Sequence, residues 1–262
     1  MSILKTFAII YLLLNTIDSK QISQCANGQA TYYGIDANGS CGFGDIVFTM
    51  PTAAAPLDLY DGSRMCGVCY EVIGEKGKKT FMIADSCPGC ALAKNTGRIH
   101  LDLDETHFPD IDEMWKGNIK TSMRMVSCKV KGNVKLVITE TNNWYFNAYV
   151  YNSKIGIKNL QIKLDPGNFI DVPRKNHNRF IMNLSGNFKQ ITIKVIGFSG
   201  EEIICYKNKD VIQGTYDCGK QFGDTGKFFD IFSGKEMAPD KKSKCCKKQS
   251  SISSVSQCNV KV

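Results

Sequence analysis

From residue 26 to residue 232 the apolar positions recur in short runs separated by Gly, Asn, Asp and Pro. That pattern predicts β-strands and turns, with little helical periodicity. Asp104 to Trp115 is the one helix-like stretch, and Pro109 keeps it short. After Cys128 the polar Lys131-Gly132-Asn133 marks a boundary, so residues 24–131 and 132–232 read as two β domains. In the second, Val134–Thr139, Phe146–Tyr151, Ile157–Leu164, Phe180–Leu184 and Gln190–Ile196 predict strands at roughly ten-residue spacing, as β-sandwich sequences do. No repeat relates the two halves.

The run from Trp144 to Tyr151 alternates. It sends Trp144, Phe146, Ala148 and Val150 to a core face and Tyr145, Asn147, Tyr149 and Tyr151 to the opposite one. Phenol rings around an amide suit the apolar faces of sugar rings while their hydroxyls still meet water. Cross-strand aromatic packing in an ordinary sheet uses the same pattern. A Trp144 that starts the strand at the sheet edge can also be exposed, despite the alternation.

Candidate chemistry sits in the first half. Ile83-Ala84-Asp85-Ser86-Cys87-Pro88-Gly89-Cys90 and Ile99-His100-Leu101-Asp102-Leu103 each place an aspartate at the edge of a strand-like segment near cysteines. Carboxylates held on a rigid scaffold handle glycosidic bonds or grip sugar hydroxyls. The plainer role for either aspartate alone is to cap a turn at a strand end.

Residues 1–19 read as a secretory signal, with Lys5 before an apolar core from Phe7 to Leu14 that is too short to span a bilayer. No later segment is a membrane span, so the mature chain is expected outside the cell. Asn38-Gly39-Ser40 and Asn183-Leu184-Ser185 are N-glycosylation acceptors consistent with export. The net charge of +8 is concentrated in the Lys/Ser/Cys-rich tail, residues 233–262. The body carries no basic stripe of the kind that nucleic-acid binding requires.

Twelve cysteines in an exported chain read as disulfides. Cys66-x-x-Cys69 and Cys87-x-x-Cys90 have zinc-ribbon spacing, but an oxidising compartment favours bridges over metal, and no metal or cofactor is expected. Seven cysteines precede residue 131 and five follow it. One bridge therefore crosses between the blocks, Cys25 to a tail cysteine being the candidate, or two thiols stay free. Cys205 and Cys218 are assigned to disulfides.

Five motifs, in this order, resemble those of expansins and expansin-like proteins: Ala30-Thr31-Tyr32-Tyr33-Gly34, Cys41-Gly42-Phe43-Gly44-Asp45, Cys66-Gly67-Val68-Cys69-Tyr70-Glu71-Val72, Ala84-Asp85-Ser86-Cys87-Pro88 and His100-Leu101-Asp102-Leu103. The segment Lys120 to Cys128 is similar to the strand that closes their first domain. The resemblance implies an all-β fold, a six-stranded double-psi β-barrel followed by an immunoglobulin-like, carbohydrate-binding β-sandwich. It further implies bridges Cys41–Cys66, Cys69–Cys128 and Cys87–Cys90. Thr31, Tyr33, Asp85 and Asp102 would line a polysaccharide groove with His100 beside them, and Trp144 and Tyr145 would start an aromatic platform. Where some expansins have an aromatic two residues after the first aspartate, this chain has Cys87, and the platform's third aromatic falls near Ile162.

The implied function is that of a monomeric wall protein that binds cellulose or related glucans and loosens their contacts without hydrolysis. The similar barrel of family-45 endoglucanases inverts with an acid, matched by Asp102, and a base, whose place here is taken by Ile35. Asp36 is the neighbouring alternative for a slow endoglucanase. A barwin-like structural or defence protein shares the barrel, but the Tyr-rich second domain argues against it.

Overall fold

The computed structural model describes residues 26–223, together with 228–229 and 236–237. The expected signal at residues 1–19, Cys25, the tail cysteines 245, 246 and 258, and the crossing bridge proposed for them lie outside the described residues.

Six strands close a barrel: β1 (Ala26–Tyr33), β2 (Thr52–Pro56), β3 (Cys69–Ile73), β4 (Lys78–Cys87), β5 (Ile99–Asp104) and β6 (Ile119–Val126), in the order β1-β5-β2-β4-β3-β6. The pairs β1/β5 and β2/β4 are parallel and the other four antiparallel. Alternation buries Ala30, Ala53, Ala55, Phe81, Leu101 and Leu103 inside. The small alanines of β2 leave room for the larger side chains of β4 and β5 in a core packed to the density of a crystal. Truncating Leu101 or Leu103 to alanine would cost about 2–5 kcal/mol on this account.

The helix expected over Asp104–Trp115 does not form. Strand β5 runs through Asp104, and the stretch then makes two 3-10 turns, Phe108–Asp110 and Met114–Lys116. Asp104 is fully buried and fixes this corner, accepting hydrogen bonds from the backbone N–H groups of Thr52 (2.7 Å) and His107 (2.9 Å). Phe108, which opens the first of these turns, and Ile111, which follows it, enter the core, and Pro109 has no N–H to extend a helix.

The second half forms two facing sheets. One has β10 (Phe169–Asp171), β9 (Ile157–Leu164), β13 (Ile191–Gly197) and β14 (Glu202–Asn208) in that order. The other has β11 (Arg174–Lys175), β12 (Arg179–Asn183), β8 (Tyr145–Tyr151), β7 (Lys135–Asn142) and β15 (Gly214–Asp217). Phe146, Ala148 and Phe180 from one sheet and Leu160, Ile162 and Val195 from the other are all buried in the layer between them. The fold is thus all-β, a closed six-stranded barrel followed by a β-sandwich.

The structure pairs Cys41 with Cys66, Cys69 with Cys128 and Cys87 with Cys90 in the barrel. A fourth bridge, Cys205–Cys218, ties β14 to the end of β15 and so joins the two sheets. Barrel and sandwich are held by Arg174, which donates from Nη1 to Ser63 O at 3.4 Å, by the Ser63 hydroxyl donating to Lys175 O at 3.0 Å, and by Cys128 N donating to Lys154 O at 2.7 Å.

Candidate functional site

Strand pairing sets Thr31, Asp102, Ala54 and Asp85 side by side across four neighbouring strands. Thr31 is opposite Asp102, Asp102 opposite Ala54, and Ala54 opposite Asp85. Directly opposed residues project to the same face, so two carboxylates flank a methyl group. Two strand spacings put their Cα atoms about 10 Å apart. Asp85 reaches this row only because β4 is irregular. Ala53 pairs with Ile83, and the register then shifts so that Ala54 meets Asp85 rather than Ala84. A bulge of this kind re-aims a side chain that regular pairing would turn to the other face.

Each aspartate is held in place. Asp85 Oδ1 accepts the N–H groups of Ser40 (2.6 Å) and Ser86 (2.7 Å). The Ser40 carbonyl in turn accepts the Tyr60 hydroxyl at 2.8 Å. Burial, then the nearby Asp85 charge, pushes the Tyr60 phenol up to about 12, so it stays a donor. The Tyr33 phenol is raised further, by burial first and then by Asp85, Asp102 and Asp104, which places it among three carboxylates.

The hydrogen bonds around Asp102 fix the state of His100. The hydroxyl of Thr31 donates to Asp102 Oδ1 at 2.5 Å and lies 3.1 Å from His100 Nε2. Ala91 N donates to His100 Nδ1 at 3.1 Å. A hydroxyl has one proton to give, so Nε2 must carry the imidazole proton and Nδ1 must accept. The ring is neutral, and the chain of donors runs Ala91 to His100 to Thr31 to Asp102. Burial lowers the His100 pKa, opposed by Asp102, which agrees with the neutral ring. The sulfurs of Cys87 and Cys90 lie within 4.8 Å of one another and of the Asp102 carboxylate. Joined as a disulfide, they have no thiolate to offer a metal. Cys66 and Cys69 are bridged elsewhere, so the zinc-ribbon spacing builds no centre.

Between barrel and sandwich lies an open cleft of about 490 Å³, lined by Ala37, Asn38, Gly39, Gly42, Gly44, His177 and Arg179. Gly39 packs against the bulged strand, where a Cβ would fall 2.9 Å from Ala84 O and 3.4 Å from the Asp85 carboxyl carbon. Three residues on, Gly42 O accepts Arg179 Nη2 at 3.2 Å. The guanidinium lies over the Tyr149 ring, 4.3 Å from its centroid. The loop that holds Asp85 therefore also holds the start of the sandwich surface.

On that surface β12 runs beside β8, with Asn183 opposite Tyr145 and Ile181 opposite Asn147. Phe146, Ala148 and Val150 are buried, whereas Tyr145, Asn147, Tyr149 and Tyr151 are half-buried on the other face. Trp144 departs from the alternation. It sits in the turn before β8, is 63 % exposed, and lies on Gly186, where a Cβ would fall 2.3 Å from the indole. The turn is set by Asn142, whose Oδ1 accepts Trp144 N at 2.8 Å.

Thr31, Tyr33, Asp85, His100 and Asp102 thus share one patch of the barrel, and Trp144 and Tyr145 adjoin at one end of β8. Tyr149, which alternation nominates as a further stacking ring, does not offer an open plane. Arg179 covers it, and Phe43 and Tyr151 lie at ring-centroid distances of 6.4 and 6.2 Å. Ile162, where a third platform aromatic was expected, belongs to the opposite sheet and is fully buried. Asp36 is exposed, and its Oδ1 accepts Asn38 N at 2.6 Å to close a turn. Both glycosylation acceptors, Asn38 and Asn183, are exposed. Sequence reasoning missed Tyr60 and Arg179. For Arg179, the signal was its place directly before the predicted strand Phe180–Leu184, two residues ahead of Ile181 and four ahead of Asn183, in the same alternating register.

No protein-family model matches the chain. Among curated proteins it is 28% identical over 232 residues to Expansin-like protein 2 of Dictyostelium discoideum, covering 86% of this chain and 57% of that one. It is 30% identical over 204 residues to Expansin-like protein 5 of the same organism, covering 74% of this chain and 83% of the relative. The fold matches the crystal structure of apo Clavibacter michiganensis expansin with a TM-score of 0.65 at 22% identity, over 75% of this chain and 97% of that one. A mutant of that expansin in complex with cellohexaose matches equally well, with a TM-score of 0.65 at 21% identity.

Proposed function

The chain belongs to the expansin-like proteins, and we propose that it binds cellulose or a related cell-wall glucan and loosens contacts between glucan chains without hydrolysing them. The observation that carries this reading is continuity. Asp102, Asp85, the Gly39–Gly42 loop, Arg179, Tyr145 and Trp144 follow one another through the pairings and contacts described above. A linear glucan has hydroxyls along its edges and apolar C–H faces. It matches a track whose barrel part is acidic and whose far end is aromatic. The cellohexaose complex of the Clavibacter expansin supports a β-glucan as the ligand class.

In this reading Asp102 and Asp85 accept hydrogen bonds from sugar hydroxyls over the floor made by Ala54. Thr31 and His100 hold Asp102 in place, and Arg179 presents a flat, weakly hydrated cation at the saddle with Tyr149 as its support. An inverting hydrolase needs a second carboxylate as base. Ile35 cannot act as one, Asp36 accepts the Asn38 N–H within its turn, and Asp85 Oδ1 is taken up by the Ser40 and Ser86 N–H groups. Export to a cell wall belongs to the same proposal; no helix among the described residues is long and apolar enough to cross a membrane.

The test is adsorption to insoluble cellulose, with wall creep and sugar release measured on the same preparation. Adsorption and creep without reducing sugar are expected, and Asp102→Asn should stop creep while adsorption persists. Sugar release that disappears in Asp36→Asn would establish the endoglucanase reading instead. Failure to adsorb would return the chain to a barwin-like structural or defence role.

A further inference from the structure

The two N-glycosylation acceptors both stand on the proposed glucan track. Asn183 is exposed and lies directly opposite Tyr145 on the same sheet face. Opposed side chains of an antiparallel pair have Cβ atoms about 4.5–5.5 Å apart. The next residue, Leu184, donates its N–H to Trp144 O at 2.8 Å, and Gly186 lies under the indole. The Asn-x-Ser tripeptide is therefore built into the seat of Trp144. Asn38, the other acceptor, is exposed and lines the same cleft as Gly39 and Arg179.

We propose that Asn183 is a modification site whose N-glycan covers the Trp144–Tyr145 surface, so that glycosylation and adsorption to wall glucan compete. The inference rests on the reading of those two aromatics as the adsorbing surface. A glycan is bulky and hydrophilic, and this one starts beside two rings suited to sugar faces. It acts as a tethered ligand, present at an effective concentration of the order of millimolar. An insoluble glucan must displace it before both rings can stack. An extended oligosaccharide at Asn38 narrows the saddle in the same way, but the sandwich acceptor is the decisive one.

The test uses the full chain secreted from a eukaryotic host that N-glycosylates. Peptide mass mapping reads occupancy at Asn183, and adsorption to insoluble cellulose is compared for three forms. These are the glycosylated parent, the parent trimmed to single sugars by an endoglycosidase, and Ser185→Ala, which keeps the Asn183 amide but removes the acceptor motif. Asn183 should be occupied, and Ser185→Ala should adsorb roughly tenfold more tightly, the gain expected when one stacking ring is uncovered. Trimming should move in the same direction and requires no substitution. An unmodified Asn183, or equal adsorption by all three forms, overturns the proposal. Trp144→Ala in the Ser185→Ala background separates the two levels. If it adsorbs as well as Ser185→Ala alone, the platform reading itself is wrong; if it loses adsorption while trimming and Ser185→Ala change nothing, only the glycan inference fails.

Discussion

Replacing Thr31 with valine keeps the branched shape of the side chain and removes the single hydroxyl that joins His100 to Asp102. Two hydrogen bonds go with it, one from His100 Nε2 at 3.1 Å and one to Asp102 Oδ1 at 2.5 Å. The first is a neutral bond worth about 0.5–1.5 kcal/mol, and the second goes to a charged acceptor and is worth about 1.5–3 kcal/mol. His100 is only 8 % exposed, so its N–H cannot readily turn to water. Thr31 and Asp102 are partly open, however, and water replaces some of what they lose. A net loss of about 2–3 kcal/mol follows. Thr31→Ser keeps the hydroxyl and drops one methyl, which should cost less than about 1 kcal/mol. Urea unfolding of parent, valine and serine proteins with disulfides intact measures both. The midpoint should fall by about 1 M in valine with an unchanged slope and much less in serine. Equal midpoints for the two variants would refute the donor chain from Ala91 to Asp102, because serine keeps the hydroxyl and gives up only a methyl, the smaller of the two losses.

Burial lowers the His100 pKa in the folded state, so the unfolded chain takes up that proton more readily. The contribution of His100 to stability should therefore be complete above its unfolded value near 6.5 and be lost as pH falls through the lower folded value. A urea-stability series from pH 8 to pH 5 tests this, and the fall should be shallower in His100→Gln. Among the bridges, Cys69–Cys128 encloses a sequence separation of 59 and Cys87–Cys90 one of 3. Opening the first by paired Ser substitution should cost about 4 kcal/mol and opening the second about 2 kcal/mol by loop entropy, read from thermal unfolding. Trp144→Ala and Tyr145→Ala should each weaken adsorption to cellulose by about 1–3 kcal/mol. Tyr149→Ala should chiefly lower stability, since its ring packs against Arg179 and Phe43.

Periodicity made the sandwich legible. Five predicted strands appear as β7, β8, β9, β12 and β13, with ends displaced by a few residues at most. Alternation along β8 correctly separates buried Phe146, Ala148 and Val150 from the tyrosine face. It fails one residue earlier, because Asn142 turns the chain and takes Trp144 out of the two-residue period. Three further features depended on contacts distant in sequence. The Asp104–Trp115 stretch looked helical because its apolar spacing says nothing about the buried Asp104 carboxylate that pins the corner. The motif marks Asp85, but its alignment with Asp102 follows from a register shift at Ala84, which no local pattern announces. Tyr149 was placed on the right face, yet Arg179 and Phe43 come from strand pairing and from the other half of the chain.

One continuous track across barrel and sandwich is the central claim, and the chain supplies its own reporter, because it has only two tryptophans. Trp144 lies at the aromatic end of the track, while Trp115, 81 % exposed, belongs to the 3-10 turn before β6 and takes no part in it. Titrating 15N-labelled protein with cellohexaose resolves both indole signals and the backbone amides in one spectrum. With one continuous track, the Trp144 indole and the amides of Thr31, Asp85, Asp102, Arg179 and Tyr145 should shift together with a single dissociation constant, while Trp115 stays still. Shifts confined to the barrel, to the outer face of the four-stranded sheet, or to Trp115 would contradict it.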